Sequence, residues 1–406
     1  MPMNYIGAEQ AAAKWNISPR RVQALCRAGA IEGVQRVGRV WAIPENAPKP
    51  SAEPHPAAPR ADVTAEAAPD LSVAASRVAM PLVNTAFAPG QARAAAEAVE
   101  DEHSRNLALA EYYFFSGQAA RASELSEPYL ASEDWALRLS ACWIYGYANL
   151  TLDRILQARQ ALFQVQKTLE DVDENTPVQD KALAVCIATA SATLLHLPLP
   201  EGIPPAMRFA RILSPGLRLF ILYVQAHYVY LQQHYEASIG IVETALTLEG
   251  ETYPIPSIYL HLVATMDYMA LKQPAKAREH LLEAWALARP DDLIEAFGEH
   301  HGLLGGMLEQ IIKKEWPEDF RRIIAITYSF SAGWRKIHNP LTGHQVADDL
   351  TTTEFTVAML AARGWSNKEI GAHLGVSANT VKLHISAALQ KLGISQRREL
   401  AQFMLK

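Results

Sequence analysis

The sequence predicts a mainly α fold built in several domains, and three observations carry that expectation. Hydroxyl–carboxylate pairs at Thr351/Glu354 and Ser366/Glu369 have the spacing of capping boxes, in which each side chain accepts a backbone N–H at a helix start. Three times a bulky residue precedes a small one by nine positions: Tyr113/Ala122, Val229/Ser238 and Tyr268/Ala277. Nine residues lead from the end of one helix through a tight turn into a returning helix, where a small side chain lets the backbones approach. Strand-like runs are confined to two short stretches, 34–37 and 39–43, hinged at Gly38.

The 406 residues suffice for two or three domains with real cores. Half the residues are hydrophobic and a fifth charged, ordinary proportions for a soluble globular protein. No apolar run reaches the ~18–20 residues of a membrane span, and the start has no signal-peptide pattern, so no membrane is expected and a cytoplasmic location is. Cys26, Cys142 and Cys186 are odd in number and far apart, and read as buried free thiols. Charge is unevenly spread. Residues 1–44 and 350–406 each carry +4, so with a total of −6 the stretch 45–349 carries −14. Basic ends on an acidic middle place phosphate-binding potential at both ends of the chain.

In residues 1–44, a short helix from Gly7 to Trp15 turns Ala12 and Trp15 inward. Asn16-Ile17-Ser18-Pro19 then forms a turn, with Ser18 as N-cap and Pro19 at the first helical position. The next helix buries Val22, Leu25 and Cys26 and turns Arg20, Arg21, Gln23 and Arg27 outward, and Gly29 closes it. The hairpin beyond would act as a wing, with Arg36 and Arg39 reaching phosphate or minor groove. Through Ile17-Ser18-Pro19-Arg20-Arg21-Val22, Arg27-Ala28-Gly29-Ala30-Ile31 and Arg39-Val40-Trp41 the unit resembles the MerR/excisionase-like winged helix-turn-helix. That resemblance implies DNA binding; such modules also serve as protein–protein contacts.

Residues 45–77 are an Ala/Pro mixture with too few large apolar residues to offset chain ordering, and read as a semi-stiff tether. From 78 to 338 every strong pattern is helical. The bulky–small pairs give this body a resemblance to tetratricopeptide (TPR-like) repeats, with residues 135–170 and 178–213 as degenerate units; stacked repeats of this kind form an α-solenoid. Its aromatics and histidines, among them Tyr228, Tyr230 and Tyr259, have two readings: a groove for a small-molecule effector or protein partner, or repeat core. His300-His301 has no second ligand set at metal spacing, and no nucleophile–base constellation stands out, so neither metal, cofactor nor enzyme activity is expected.

Residues 346–406 are the most informative. Leu374-Gly375-Val376-Ser377 reads as a helix stop, one apolar residue and a new N-cap, which makes two helices cross sharply. The second of these helices buries Val381, Ile385, Ala388 and Leu392 and leaves Asn379, Lys382, Leu383 and Ser386 outward, suited to a major groove. Ser366-Asn367-Lys368-Glu369-Ile370, Thr380-Val381-Lys382 with His384, and Lys391-Leu392-Gly393 followed by Arg397 give the segment a resemblance to the LuxR-type (GerE-like) DNA-binding domain. Thr353 and Ser386 depart from the family, which usually has arginine at the first position and in several members a basic or amide residue at the second. The resemblance implies contacts to double-stranded DNA from Asn367, Lys368, Asn379, Lys382, Leu383, His384 and Ser386, with Thr380, Lys391 and Arg397 as phosphate clamps.

Helical repeats followed by a LuxR-type domain resemble the C-terminal half of the large ATP-dependent LuxR-family activators. No GxxxxGK[ST] loop is present, so a nucleotide switch is not expected, and no acidic receiver pattern occurs near the start. The expected protein is a bacterial transcriptional regulator acting as a homodimer on two half-sites, with RNA polymerase a further candidate partner. The competing reading is a TPR-type interaction scaffold whose terminal helix-turn-helix domains only dock partners.

Overall fold

A computed structural model describes residues 5–27, 31, 34–37, 40–49, 78–248, 250–342 and 350–404. The chain divides into two compact units, Met1–Ala75 and Ser76–Lys406. Among the described residues no helix is long and apolar enough to cross a membrane.

In the first unit, strand β1 (Tyr5–Ile6) leads into helix α1 (Ala8–Trp15), which ends on Asn16 in the left-handed conformation (φ 54°). Helix α2 (Pro19–Arg27) follows, then strands β2 (Gln35–Val37) and β3 (Val40–Pro44). The sheet order is β1-β3-β2, all antiparallel, with Ile6 opposite Ile43 and Arg36 opposite Trp41. Ala11, Ala12, Trp15, Val22, Cys26 and Ile43 form a small separate core. The tether expected over residues 45–77 lies mostly outside the described residues.

Every regular element among the described residues of the second unit is a helix. The unit begins with α3 (Ala92–Glu97), α4 (Glu102–Phe115), α5 (Ala119–Ser126), α6 (Trp135–Thr151) and α7 (Ile155–Glu170). These are followed by α8 (Val178–Leu194), α9 (Pro215–Leu231), α10 (Tyr235–Leu248), α11 (Pro254–Ala270) and α12 (Pro274–Ala288). Short helices α13 (Glu295–His300), α14 (Met307–Gln310) and α15 (Ile312–Glu315) precede the long α16 (Pro317–Thr342). The last segment holds α17 (Thr352–Ala362), α18 (Asn367–Leu374), α19 (Ala378–Lys391) and α20 (Ala401–Met404).

Four helix pairs turn in the same way. Gly117, Asp153, Gln233 and Lys272 have positive φ, from 58° to 74°. The N–H one residue later reaches five residues back: Gln118 to the Tyr113 carbonyl (2.7 Å), Arg154 to Asn149 (2.8 Å), His234 to Val229 (3.2 Å) and Gln273 to Tyr268 (2.8 Å). This is the 6→1 bond of a Schellman end, and it satisfies a carbonyl the helix leaves open. Four residues beyond that donor, each returning helix meets its partner through a small buried residue: Ala122, Ala158, Ser238 or Ala277. The nine-residue spacing is therefore the length of this turn. Asn149/Ala158 is a fourth instance, concealed in the sequence because its first member is a buried amide held by Ser123 Oγ and the Tyr145 carbonyl.

The first helices of the pairs pack on one another, α4 against α6 and α9 against α11, with α8 between α6 and α9, while α16 lies against α6 and α13. Residues 80–84 are wedged onto this row. Met80 N–H donates to Ser140 Oγ (2.8 Å), and Val83 N–H to Glu111 Oε2 (2.9 Å).

Glu111 is fully buried, and burial pushes its carboxyl up to about 8; Asp267 is likewise raised by burial to about 8. Both hold a proton more tightly folded than unfolded, where a carboxyl titrates near ~4.3. Their stabilising contribution is complete below the unfolded value and is lost as pH rises toward about 8. The buried histidines are shifted downward and add no slope once pH exceeds their unfolded value of ~6.5. Stability measured by denaturant unfolding should therefore fall between pH 7 and 8.5, by on the order of 1 kcal/mol per pH unit for each such carboxyl. Glu111→Gln, a neutral near-isostere, should flatten that slope by about one group's share. An unchanged slope in the variant would mean that Glu111 is already ionised in the fold at pH 7.

Candidate nucleic-acid interface

The site is built on three helices whose starts are set by side-chain caps. At α17, Thr351 N–H donates to Glu354 Oε2 (2.8 Å) and Glu354 N–H to Thr351 Oγ1 (3.3 Å). At α18, Ser366 N–H donates to Glu369 Oε2 (2.5 Å) and Glu369 N–H to Ser366 Oγ (3.2 Å). Gly375 stops α18 with φ 71°, the Val376 N–H returns to the Gly371 carbonyl (2.9 Å), and Ser377 caps α19 through the Thr380 N–H (3.0 Å). The turn is thus fixed by hydrogen bonds on both sides, and α18 and α19 cross as a rigid pair.

Helix α19 buries Val381, Ile385 and Ala388 against α17, with Leu392 half-buried below them. Its other face leaves Asn379, Lys382, Leu383 and Ser386 exposed, and Leu383 is 70% exposed. An apolar leucine held out in water, between a lysine and short polar groups, is the composition of a surface that meets base edges and thymine methyls. His384 is half-buried at the edge of this face, and Lys368 at the start of α18 is exposed.

The residues expected to clamp phosphate are placed differently. Lys391 Nζ pairs at 2.7 Å with Glu354 Oε2, the same oxygen that accepts the Thr351 N–H in the capping box of α17. Burial raises the Glu354 carboxyl, but the Lys391 bond and the Thr351 hydrogen bonds together outweigh it and the group lies below its ordinary range. Arg397 donates to Asn367 Oδ1 and to the Trp365 carbonyl, and burial lowers its guanidinium. Lys391, Arg397 and Asn367 thus direct their polar ends at partners inside the domain. The Thr380 hydroxyl lies 2.8 Å from Ser377 Oγ.

The face of this domain away from α19 packs on the helical body. Lys272 Nζ donates to the Gly364 carbonyl (2.8 Å) and lies 3.7 Å from Glu369. His373 Nε2 donates to the Gly305 carbonyl (2.9 Å), and Arg363 donates to the Tyr230 hydroxyl and the Leu303 carbonyl. Tyr230, one of three tyrosines proposed for ligand contact, is therefore a junction residue, whereas Tyr228 is half-buried nearby. Tyr259 is buried, with its hydroxyl donating to Glu299 Oε2 at 2.8 Å beside an internal cavity.

In the first unit, Ser18 and Gln23 are exposed. The side chains of Arg20, Arg21, Arg27 and Arg36, and all of Arg39, lie outside the described residues. Cys26, Cys142 and Cys186 are buried free thiols.

With this geometry in place, comparison with known proteins gives the segment its class. Residues 348–404 match the family described as bacterial regulatory proteins, luxR family. They form a LuxR-type helix-turn-helix domain. Among similar proteins is the transcriptional regulatory protein UhpA of Escherichia coli (strain K12), 46% identical over 57 residues, 14% of this chain and 29% of that protein. The probable transcriptional regulatory protein SgaR of Hyphomicrobium methylovorum is 40% identical over 57 residues, 14% of this chain and 27% of its own length. The HTH-type transcriptional regulator MalT of Serratia proteamaculans (strain 568) is 29% identical over 157 residues, 35% of this chain and 17% of that protein. The chain thus spans less than a third of the length of these relatives, although the last similarity is longer than the matched domain. No solved structure matches the chain.

Proposed function

We propose that the protein is a transcription regulator that binds a specific double-stranded DNA sequence through α19. The observation that carries this reading is the division of that helix. Val381, Ile385 and Ala388 hold it in the domain, while Asn379, Lys382, Leu383 and Ser386 remain exposed even though the domain packs on the body. A helix serving only as packing has no use for a free lysine–amide–leucine surface, and the +4 charge of residues 350–406 supports attraction to phosphate. In the same reading the helical body is a sensing and assembly unit, two copies of the chain engage two half-sites, and the first unit is a winged helix-turn-helix that adds a second DNA contact. The role is non-enzymatic and cytoplasmic.

The test is a gel shift on duplexes selected from a random pool. Lys382→Ala and Asn379→Ala should each cost on the order of 1–3 kcal/mol on the best site and relax preference at the contacted base. Lys391→Ala and Arg397→Ala should instead lower the melting temperature of the domain, because their partners are internal. Unchanged affinity for the best site in the Asn379/Lys382 double variant would exclude α19 as the reading helix and favour an interaction scaffold.

A further inference from the structure

A cavity of about 230 Å³ lies between the helical body and the LuxR-type domain, walled by α4, α6, α9, α11, α13 and α16 on one side and by Phe355, Met359 and Met404 on the other. Its wall carries an unusual set of buried polar atoms. Among the described residues, Trp143 Nε1, Tyr147 OH and both ring nitrogens of His227 have no hydrogen-bond partner, and each of these side chains is at least nine-tenths buried. Unmet polar atoms on buried residues are costly, and their concentration on one cavity is the signature of a group expected from outside the chain.

The neighbouring polar groups are satisfied and show what remains open. His300 Nδ1–H donates to the Ala296 carbonyl (2.9 Å), which leaves Nε2 to accept the Tyr223 hydroxyl (3.2 Å). Glu299 accepts from Tyr259 (2.8 Å). Open positions are therefore two donors, Trp143 Nε1–H and Tyr147 O–H, and one donor and one acceptor on a neutral His227. Burial keeps His227 well below its ordinary range and lowers His300 to about 4, so the imidazoles bring no charge at neutral pH. Burial shifts both charge-bearing side chains on the wall toward their neutral forms, Glu299 up to about 7 and Arg335 downward, so the wall offers no strong counter-charge to hold an ion. The remaining walls are aromatic: Phe114, Trp143, Phe220 and Tyr223. Size sets the last limit. A dry cavity of ~150 Å³ accommodates benzene, so this one accepts about nine or ten non-hydrogen atoms.

We propose that this cavity binds an uncharged, planar, single- or two-ring compound bearing a carbonyl-type acceptor and an N–H or O–H donor, and that the bound compound fastens the LuxR-type domain to the body. The acceptor faces Trp143 and Tyr147, the donor faces His227, and the ring fills the space closed by Phe355 and Met359. Because both partners contribute wall, a ligand there favours the docked arrangement by its differential affinity for it. The proposal rests on the reading of the body as a sensing unit, and names the site and ligand class.

Benzamide, benzoate and benzamidine share one shape and nine non-hydrogen atoms but differ in charge, and calorimetry of the full chain with each is the test. Benzamide should bind saturably in the submillimolar range, with the anion and cation at least tenfold weaker. Trp143→Phe, which keeps an aromatic ring but removes the N–H donor, and Ser331→Phe, which fills the cavity from α16, should each weaken benzamide at least tenfold. Hydrogen exchange in 352–362 should slow with benzamide bound, a change that a site confined to the body would not produce. No saturable binding, equal binding of all three compounds, binding indifferent to Trp143→Phe, or exchange in 352–362 unaffected by benzamide would each overturn the proposal, whether or not Ser331→Phe folds. A gel shift on the same preparation separates the two readings. DNA binding without benzamide binding overturns the cavity alone, and benzamide binding without DNA binding overturns the regulator.

Discussion

Gly371→Val should abolish specific DNA binding, lowering affinity by two orders of magnitude or more, while leaving the helical body folded. A Cβ at position 371 would stand 2.7 Å from the Val376 carbonyl oxygen and 3.3 Å from the Ala378 nitrogen, both backbone atoms of the turn between α18 and α19. Neither can rotate aside as a side-chain tip would. The Gly371 carbonyl also accepts the Val376 N–H at 2.9 Å, so the turn must swing away from the atom that holds it. Relief comes only by moving the start of α19, with Ser377 and Thr380, relative to α18. The groove-facing side chains then lose their placement even where the helix survives, and a hundredfold loss corresponds to about 2.7 kcal/mol. Circular dichroism should retain most of its helical signal, because the packing of α4, α6, α9 and α11 does not involve this turn. Full-strength, sequence-selective gel shifts from the valine variant would show that the crossing of α18 and α19 is not what recognises DNA.

This region is legible in the sequence because its determinants are local. A cap, a stop and a new cap fall within twelve residues, from Ser366 to Ser377, and each names its own backbone partner. The helical hairpins were legible for the same reason, since the spacing of nine is the length of one turn type. What the sequence concealed depends on contacts distant along the chain. The partner of Lys391 lies 37 residues away, and that of Tyr230, Arg363, lies 133 away. Helical periodicity assigns Tyr228, Tyr230 and Tyr259 to a helix but does not say which neighbour each face meets, and only Tyr259 lines the cavity. The cavity itself draws on helices from α4 to α20, and its unpartnered atoms belong to residues that read in sequence as ordinary core. The wing arginines of the first unit stand as sequence expectations, outside the described residues.

Gly333→Val should destabilise the second unit by about 3 kcal/mol or more, as judged by denaturant unfolding. Gly333 lies inside α16, where helix geometry alone would favour almost any other residue. Its role is a backbone crossing: an added Cβ would stand 2.1 Å from the Leu150 carbonyl oxygen and 2.8 Å from its carbon, near the end of α6. Relief requires α16 to lift from α6, and several contacts oppose that. Trp334 Nε1–H donates to the Leu194 carbonyl (3.1 Å), His338 Nδ1 to the Leu195 carbonyl (3.1 Å), and Lys336 pairs with Asp153 (2.6 Å). Lifting the helix strands two buried donors and opens the wall that Phe330 and Trp334 give the cavity, so loss of benzamide binding should accompany loss of stability. Gly240→Ala is the matched control. Gly240 is exposed on α10 with nothing within 4 Å of its would-be Cβ, so alanine there should stabilise by roughly 0.5–1 kcal/mol through helix propensity and reduced freedom of the unfolded chain. Equal effects at the two positions would mean that the α6–α16 approach is looser than these distances describe. Opposite signs are expected, because one glycine marks a contact between backbones and the other marks none.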